Sequence, residues 1–148
     1  MLLTILNALI INLSSMKVYW EDYSGEGISF SSASYKNYLT IGIKFSLYDL
    51  EKEKISLKIF ERGVSGGLYS DFNIFSMALK ANLLLLTPLS ATYEDLNLRT
   101  SSKFLSTLSL SFNLKLLEIS KVKFYLNLEG EAGFYSHYKG LLGLNILL

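Results

Sequence analysis

Residues 103–130 read KFLSTLSLSFNLKLLEISKVKFYLNLEG, and from position 104 to 128 large apolar side chains alternate with Ser, Thr, Asn and Lys. A period of two is the signature of a strand with two different faces, and the short polar EIS between the two runs predicts an antiparallel hairpin. The fold depends on which face meets water. A soluble barrel turns its leucines inward, whereas a barrel in a bilayer turns them outward and leaves Ser, Asn and Lys in the lumen.

The chain has 148 residues, enough for one domain and about the length that eight short strands need. Fourteen basic and 13 acidic residues give a net charge of +1, so no electrostatic footprint for nucleic acid is present. The absence of cysteine excludes a disulfide framework, a thiolate nucleophile and cysteine-ligated metal. Half the residues are apolar and mean hydropathy is +0.31, yet no uninterrupted apolar run reaches the ~18 residues of a spanning helix. Leucine occurs 31 times and valine three times, although buried soluble strands usually draw on β-branched residues. Leucine directed into acyl chains meets no such packing demand.

MLLTILNALIINLSS, residues 1–15, reads as a removable export signal or an N-terminal apolar segment, leaving 16–148 as a single barrel domain. No Lys or Arg precedes its apolar run and no A-x-A site follows, so retention as a first strand is the alternative. Alternation then predicts a strand within 18–34, bulged at Gly25 and Gly27, and further strands at 38–48, 54–62 and 71–86. Pro88 suits a tight turn in TPLS, and the remaining strands fall near 91–99, 103–117, 122–135 and 140–148. On this reading 49–53, 87–90 and 118–121 are short turns on one rim. The Gly-rich segment 63–70 is the long loop of the other rim.

The polar faces are largely Ser, Gly, Ala, Asn and Thr, small residues suited to a crowded lumen. The lumen set is Lys44, Lys58, Lys80, Asn82, Asp95, Arg99, Asn113, Lys115, Lys123, Tyr125, Asn127, Glu129 and Glu131. Buried charges must be paired, so these predict an internal salt-bridge and hydrogen-bond network with more cations than anions. The lipid-facing set is Leu39, Ile41, Ile43, Phe45, Leu57, Leu79, Leu83, Leu108, Leu110, Phe112, Leu114, Phe124, Leu126, Leu128, Leu144 and Ile146. Aromatic girdles are expected at both edges, with Tyr35, Tyr38, Tyr69, Phe72, Phe104, Tyr135 and Tyr138 at one and Trp20, Tyr48 and Tyr93 at the other.

With this strand pattern over residues 18–148, the chain resembles the small eight-stranded bacterial outer-membrane β-barrel proteins of the OmpX and OmpA transmembrane-domain type. GLNILL at the end resembles their terminal strand in Gly143, Ile146 and Leu148, without its usual last aromatic residue. The resemblance implies an all-β, eight-stranded antiparallel up-and-down transmembrane barrel in a bacterial outer membrane. It implies a non-enzymatic, structural or surface-interaction role. Expected partners are outer-membrane lipid or lipopolysaccharide and a surface partner met through loops, particularly 62–70, with a monomer favoured. The alternatives are a soluble lipocalin-like carrier of apolar ligands and a lipid A-modifying enzyme.

No cofactor, metal or catalytic residue is expected. His137, the single histidine, lies beside Ser136, but adjacent strand residues point to opposite faces and no acid follows to orient the imidazole. The pairs Glu21–Asp22, Glu94–Asp95 and Glu129–Glu131 neutralise lysines more readily than they act as acid and base. One histidine without cysteine gives no transition-metal ligand set, and GVSGG lacks the Lys-Ser/Thr of a phosphate-binding loop.

Overall fold

A computed structural model describes residues 8–148 apart from Asp95, Leu98, Arg99 and Tyr135. Its strands are β1 (Ala8–Trp20), β2 (Tyr23–Lys36), β3 (Leu39–Lys52), β4 (Ile55–Asp71), β5 (Phe75–Tyr93), β6 (Leu96–Asn97), β7 (Lys103–Ile119), β8 (Val122–Gly133) and β9 (His137–Leu147). Every pairing is antiparallel; β5 pairs with β4 and β7, and β9 returns to β1, so eight strands close a barrel. The two-residue β6 is an appendage of β5. Closure pairs every wall strand on both sides up to Leu86–Lys103, which disposes of the unpaired backbone groups that an open sheet would present there; above it the end of β5 pairs with β4 and the short β6.

The register sets the shape. A row of paired residues beginning at Ala8 runs through Tyr35, Thr40, Gly67, Lys80, Ser109, Glu131 and Lys139 and comes back to β1 at Val18, ten residues further along. Such a stagger requires tilted strands, roughly 35–45° from the barrel axis, and a lumen narrow enough for side chains to fill.

The ends of β1 and β9 near Ala8 and Leu147 lie on one rim, here the lower, together with turns 37–38, 72–74 and 120–121. The upper rim carries 21–22 and 53–54 and the described residues of the connections from Glu94 to Ser102 and from Phe134 to Ser136. Among the described residues each of these seven connections contains one non-glycine residue at positive φ: Glu21, Asn37, Glu53, Asn73, Glu94, Ser120 and Ser136. The backbone reversal is left-handed at each, although only Asn among these residue types is well suited to it.

Several sequence expectations change. The single strand expected within 18–34 is the hairpin β1–β2, turning at Glu21–Asp22, and residues 8–15 are part of the wall, so the division expected at 15/16 falls inside β1. Gly25 and Gly27 are not a bulge. A Cβ on Gly27 would sit 2.4 Å from Tyr48 Cβ, so this glycine gives the tyrosine its space inside the barrel.

Segment 63–70 is not a loop but the second half of β4, paired on both sides. Pro88 is not at a turn: it lies within β5 opposite Ile59, where the register slips by one and Leu89 is the extra residue. A bulge tolerates the missing N–H that a regular central position would not. The expected strands at 71–86 and 91–99 are therefore one long β5 and its short appendage. Turns 53–54 and 120–121 fall on opposite rims, because three wall strands, β4, β5 and β7, separate them and not the expected four.

Candidate functional site

The barrel presents two surfaces, an outer wall and a filled interior, and they divide the polar and apolar residues between them. On the outside, Leu39, Ile41, Ile43, Phe45, Leu79, Leu83, Leu108, Leu110, Phe112, Leu114, Leu128 and Leu144 are exposed. Phe124, Leu126 and Ile146 are half-buried on the same face. Leu110 is 53% and Leu128 49% exposed, in a belt that continues around every strand of the barrel. So large an apolar area is far beyond the few hundred Å² that a soluble monomer exposes. A lipocalin-like arrangement, with the leucines around a cavity, is the reverse of this one.

Leu57, expected in the belt, faces inward and packs with the apolar cluster of the upper lumen, while Lys58 points outward toward Asp49 at 3.9 Å. The reason is position: above the belt the wall is in water and the interior is apolar, so the apolar-outward rule reverses there. Lys17–Glu26, paired at 3.9 Å on β1 and β2, marks the same transition.

The aromatic residues also redistribute. Tyr38 and Phe72 are exposed at the lower rim and Tyr19, Tyr93, Phe104, Phe134 and Tyr138 toward the upper. Trp20 is at the upper rim, whereas Tyr35, Tyr48 and Tyr69 turn into the barrel, where Tyr35 and Tyr69 stack at 4.5 Å. Tyr135 lies outside the described residues.

Inside, the side chains form layers. Near the lower end, Asn12 donates to Asn127 (3.2 Å) and to Asn145, and both of these donate to Asn113 Oδ1, at 2.7 and 2.6 Å. Asn113 in turn donates to Ser76 (3.1 Å). A closed ring of amides, completed by the Ser76 and Ser14 hydroxyls, partners its donors and acceptors within the lumen, which is what burial of polar groups demands.

Above it runs a chain of alternating charge. Lys80 meets Glu129 (3.1 Å), Glu129 meets Lys44 (3.4 Å), Lys44 meets Glu131 (2.5 Å), Glu131 meets Lys139 (3.2 Å), and Lys139 donates to both oxygens of Glu61 (2.5 Å). Tyr48 donates to Glu61 (3.1 Å) and Thr107 to Glu131 (2.9 Å). Three lysines balance three glutamates, and no member is left without a partner. Lys139, Glu61 and Glu131 are fully or almost fully shielded from solvent.

Asn82 joins through Thr107 and Ser109, and Tyr125 is buried below. Lys115 is not in the network: it pairs with Glu118 (2.5 Å) at the lower rim, where Lys123 also lies half-buried. Asp95 and Arg99 lie outside the described residues. At the rims, Asp22 holds the Lys52 ammonium above its ordinary pKa and Lys115 holds the Glu118 carboxyl below its own.

Glu61, Lys139, Asn12 and Asn145 escaped the sequence reading because each lay in a stretch assigned to something else. Alternation puts Glu61 on the outward face of β4 with Leu57, Lys139 falls between two predicted strands, Asn12 lies in the N-terminal apolar segment, and Asn145 lies in a strand whose apolar face carries the signal. The cation excess expected from sequence disappears once Glu61 enters and Lys58, Lys115 and Lys123 leave.

The interior leaves a cavity of about 40 Å³ between the amide ring and Lys80–Glu129, room for about one water. His137 is fully buried near the top, edge-on to Trp20 at 5.4 Å, and neither ring nitrogen has a hydrogen-bond partner. An imidazole so placed neither accepts the Ser136 proton nor is oriented by an acid, the two contacts a nucleophilic pair needs.

No protein-family model matches the chain, and no curated protein matches it in sequence. Solved structures do match in fold. Neisserial surface protein A superposes with a TM-score of 0.61 at 16% identity, covering 95% of each chain. The N-terminal β-barrel domain of Pseudomonas aeruginosa OprF gives 0.62 at 10% identity, over 97% of this chain and 98% of that one. Ail, the attachment invasion locus protein of Yersinia pestis, gives 0.54 at 12% identity over 95% and 97%. The chain therefore has the fold of small eight-stranded transmembrane barrels.

Proposed function

We propose that this chain is a bacterial outer-membrane barrel without enzymatic activity, a sealed wall element whose contribution is structural or made through its upper rim. The observation that carries this reading is the pairing of a continuous apolar belt outside with a charge-balanced, closed interior. A lumen filled by amide ring and ion-pair ladder offers no path for hydrated solute.

An interactive role falls on the described residues of the upper turns, since 62–70 lies in the wall. Ail has been solved in complex with the heparin analogue sucrose octasulfate. A polyanionic partner of that kind is disfavoured here: among the described residues the upper turns carry Glu21, Asp22, Glu53 and Glu94, of the neighbouring lysines Lys52 and Lys54 are paired with Asp22 and Glu94, and the exposed Lys103 alone does not outweigh the acids. The upper rim suits contact with lipid headgroups and neutral surface groups better.

The test is refolding followed by planar-bilayer recording. The chain is expected to fold only with detergent or lipid, to run as a heat-modifiable band, and to insert without a steady conductance. A persistent ion current would overturn the sealed lumen, and a monodisperse folded chain in detergent-free buffer would overturn membrane residence.

A further inference from the structure

Above the ion-pair ladder the lumen changes from polar to apolar. Met16, Val18, Leu50, Leu84, Leu105 and Leu141 form a buried cluster there, and Trp20, Tyr23 and Leu57 pack on it from the rim. The inward walls above it are mostly apolar, with the buried His137 beside Trp20 the exception, up to a mouth that opens beyond the belt. Trp20, Leu57, Ile59, Leu86 and Pro88 bound a concavity of about 540 Å³ at that mouth.

This volume lies within the roughly 300–1,000 Å³ of ordinary small-molecule sites, and apolar walls with a few polar groups are their usual lining. The polar groups are all on one side. Thr100, Ser101 and Lys103 complete the lining, and Lys103, exposed at the start of β7, is the one charged residue among the described lining residues. One cation and two hydroxyls beside an apolar bowl complement an amphiphile with one anionic head and one apolar tail. The bulge at Leu89 interrupts the regular ladder of the β5 wall beside this concavity.

We propose that this concavity binds one long-chain fatty acid, its tail against Trp20, Leu57 and Pro88 over a floor of the buried Ile59 and Leu86, and its carboxylate at Lys103 with the Thr100 and Ser101 hydroxyls donating to it. The site is separate from the ladder and adds a ligand-binding activity to the structural role. It uses the apolar top of the lumen, which neither the membrane belt nor the closed interior requires.

Trp20 is the only tryptophan of the chain and lines the site, so it reports occupancy directly. The barrel in lipid nanodiscs is titrated with dibromostearate, whose bromines quench a neighbouring indole, and with the matching brominated alcohol. Wild type is expected to show saturable one-to-one quenching by the acid. Leu57→Gln, which puts an amide in the tail wall, and Lys103→Gln, which removes the head-group cation, are each expected to weaken it about tenfold. The alcohol should bind more weakly than the acid to wild type and be unaffected by Lys103→Gln.

Quenching that rises without saturation, or is indifferent to Leu57→Gln, reports partition into the bilayer and overturns the site. Acid binding unchanged in Lys103→Gln overturns the anionic assignment. If either variant loses its heat-modifiable folded band, the wild-type comparison decides: preference for acid over alcohol supports the proposal and equal affinity refutes it.

Discussion

Lys139→Met is expected to lower the unfolding free energy of the barrel by about 3–5 kcal/mol, the usual cost of removing one partner from a buried ion pair. The lysine is completely shielded and supplies hydrogen bonds to both Glu61 oxygens and to Glu131. Its loss leaves Glu61 with only the Tyr48 hydroxyl. Glu131 keeps Lys44 and Thr107. Replacing Glu61 as well, in Lys139→Met with Glu61→Leu, removes the stranded charge and should restore most of the lost stability. Urea unfolding followed by Trp20 fluorescence measures both. A single-variant loss of about 1 kcal/mol or less, the scale of a solvated surface pair, would mean that water reaches the ladder and the lumen is open.

The second large effect concerns the outside of the same wall. Leu128→Arg, in the middle of the belt, is expected to cost about 2–4 kcal/mol in a bilayer, whereas Ser24→Arg, outward near the upper rim, should cost about 0–1 kcal/mol. The difference comes from depth alone, since both positions are exposed and neither side chain makes a polar contact that the substitution breaks. Equal, near-zero costs at the two sites would identify water as the solvent of the belt. Stability in lipid vesicles as a function of urea distinguishes the two outcomes.

The alternation that made the barrel legible is strongest where the wall is in the belt. In β3, β7 and β8 the outward leucines and inward Ser, Asn, Lys and Glu follow one rule, and their faces are readable residue by residue. Above the belt that rule inverts, and Leu57 and Ile59 look from sequence like lipid-facing residues although they line the lumen. Glu61 and Lys58 exchanged places for the same reason. Hairpins were harder, because their left-handed positions are filled by Glu21, Glu53 and Ser120 and not by glycine. Gly25, Gly27 and Pro88 attracted turns and bulges to the wrong places. The strand number of eight emerged from two compensating errors, β1 merged with β2 and β5 divided at Pro88. The ion-pair ladder was half visible: Lys44, Lys80, Glu129 and Glu131 declare themselves by alternation, but Lys139 and Glu61 required the register.

The most direct measurement compares leucine methyl groups of β7, the strand that begins the stretch 103–130, in nanodiscs carrying a lipid-borne nitroxide or a water-soluble gadolinium chelate. Leu108 and Leu110, which face outward, should be broadened by the nitroxide and spared by the chelate, while the inward Leu105 on the same strand and Leu84 on β5 should be protected from the nitroxide. Protection of Leu108 and Leu110 from the lipid probe, or their broadening by the chelate, would contradict a barrel whose leucines face lipid.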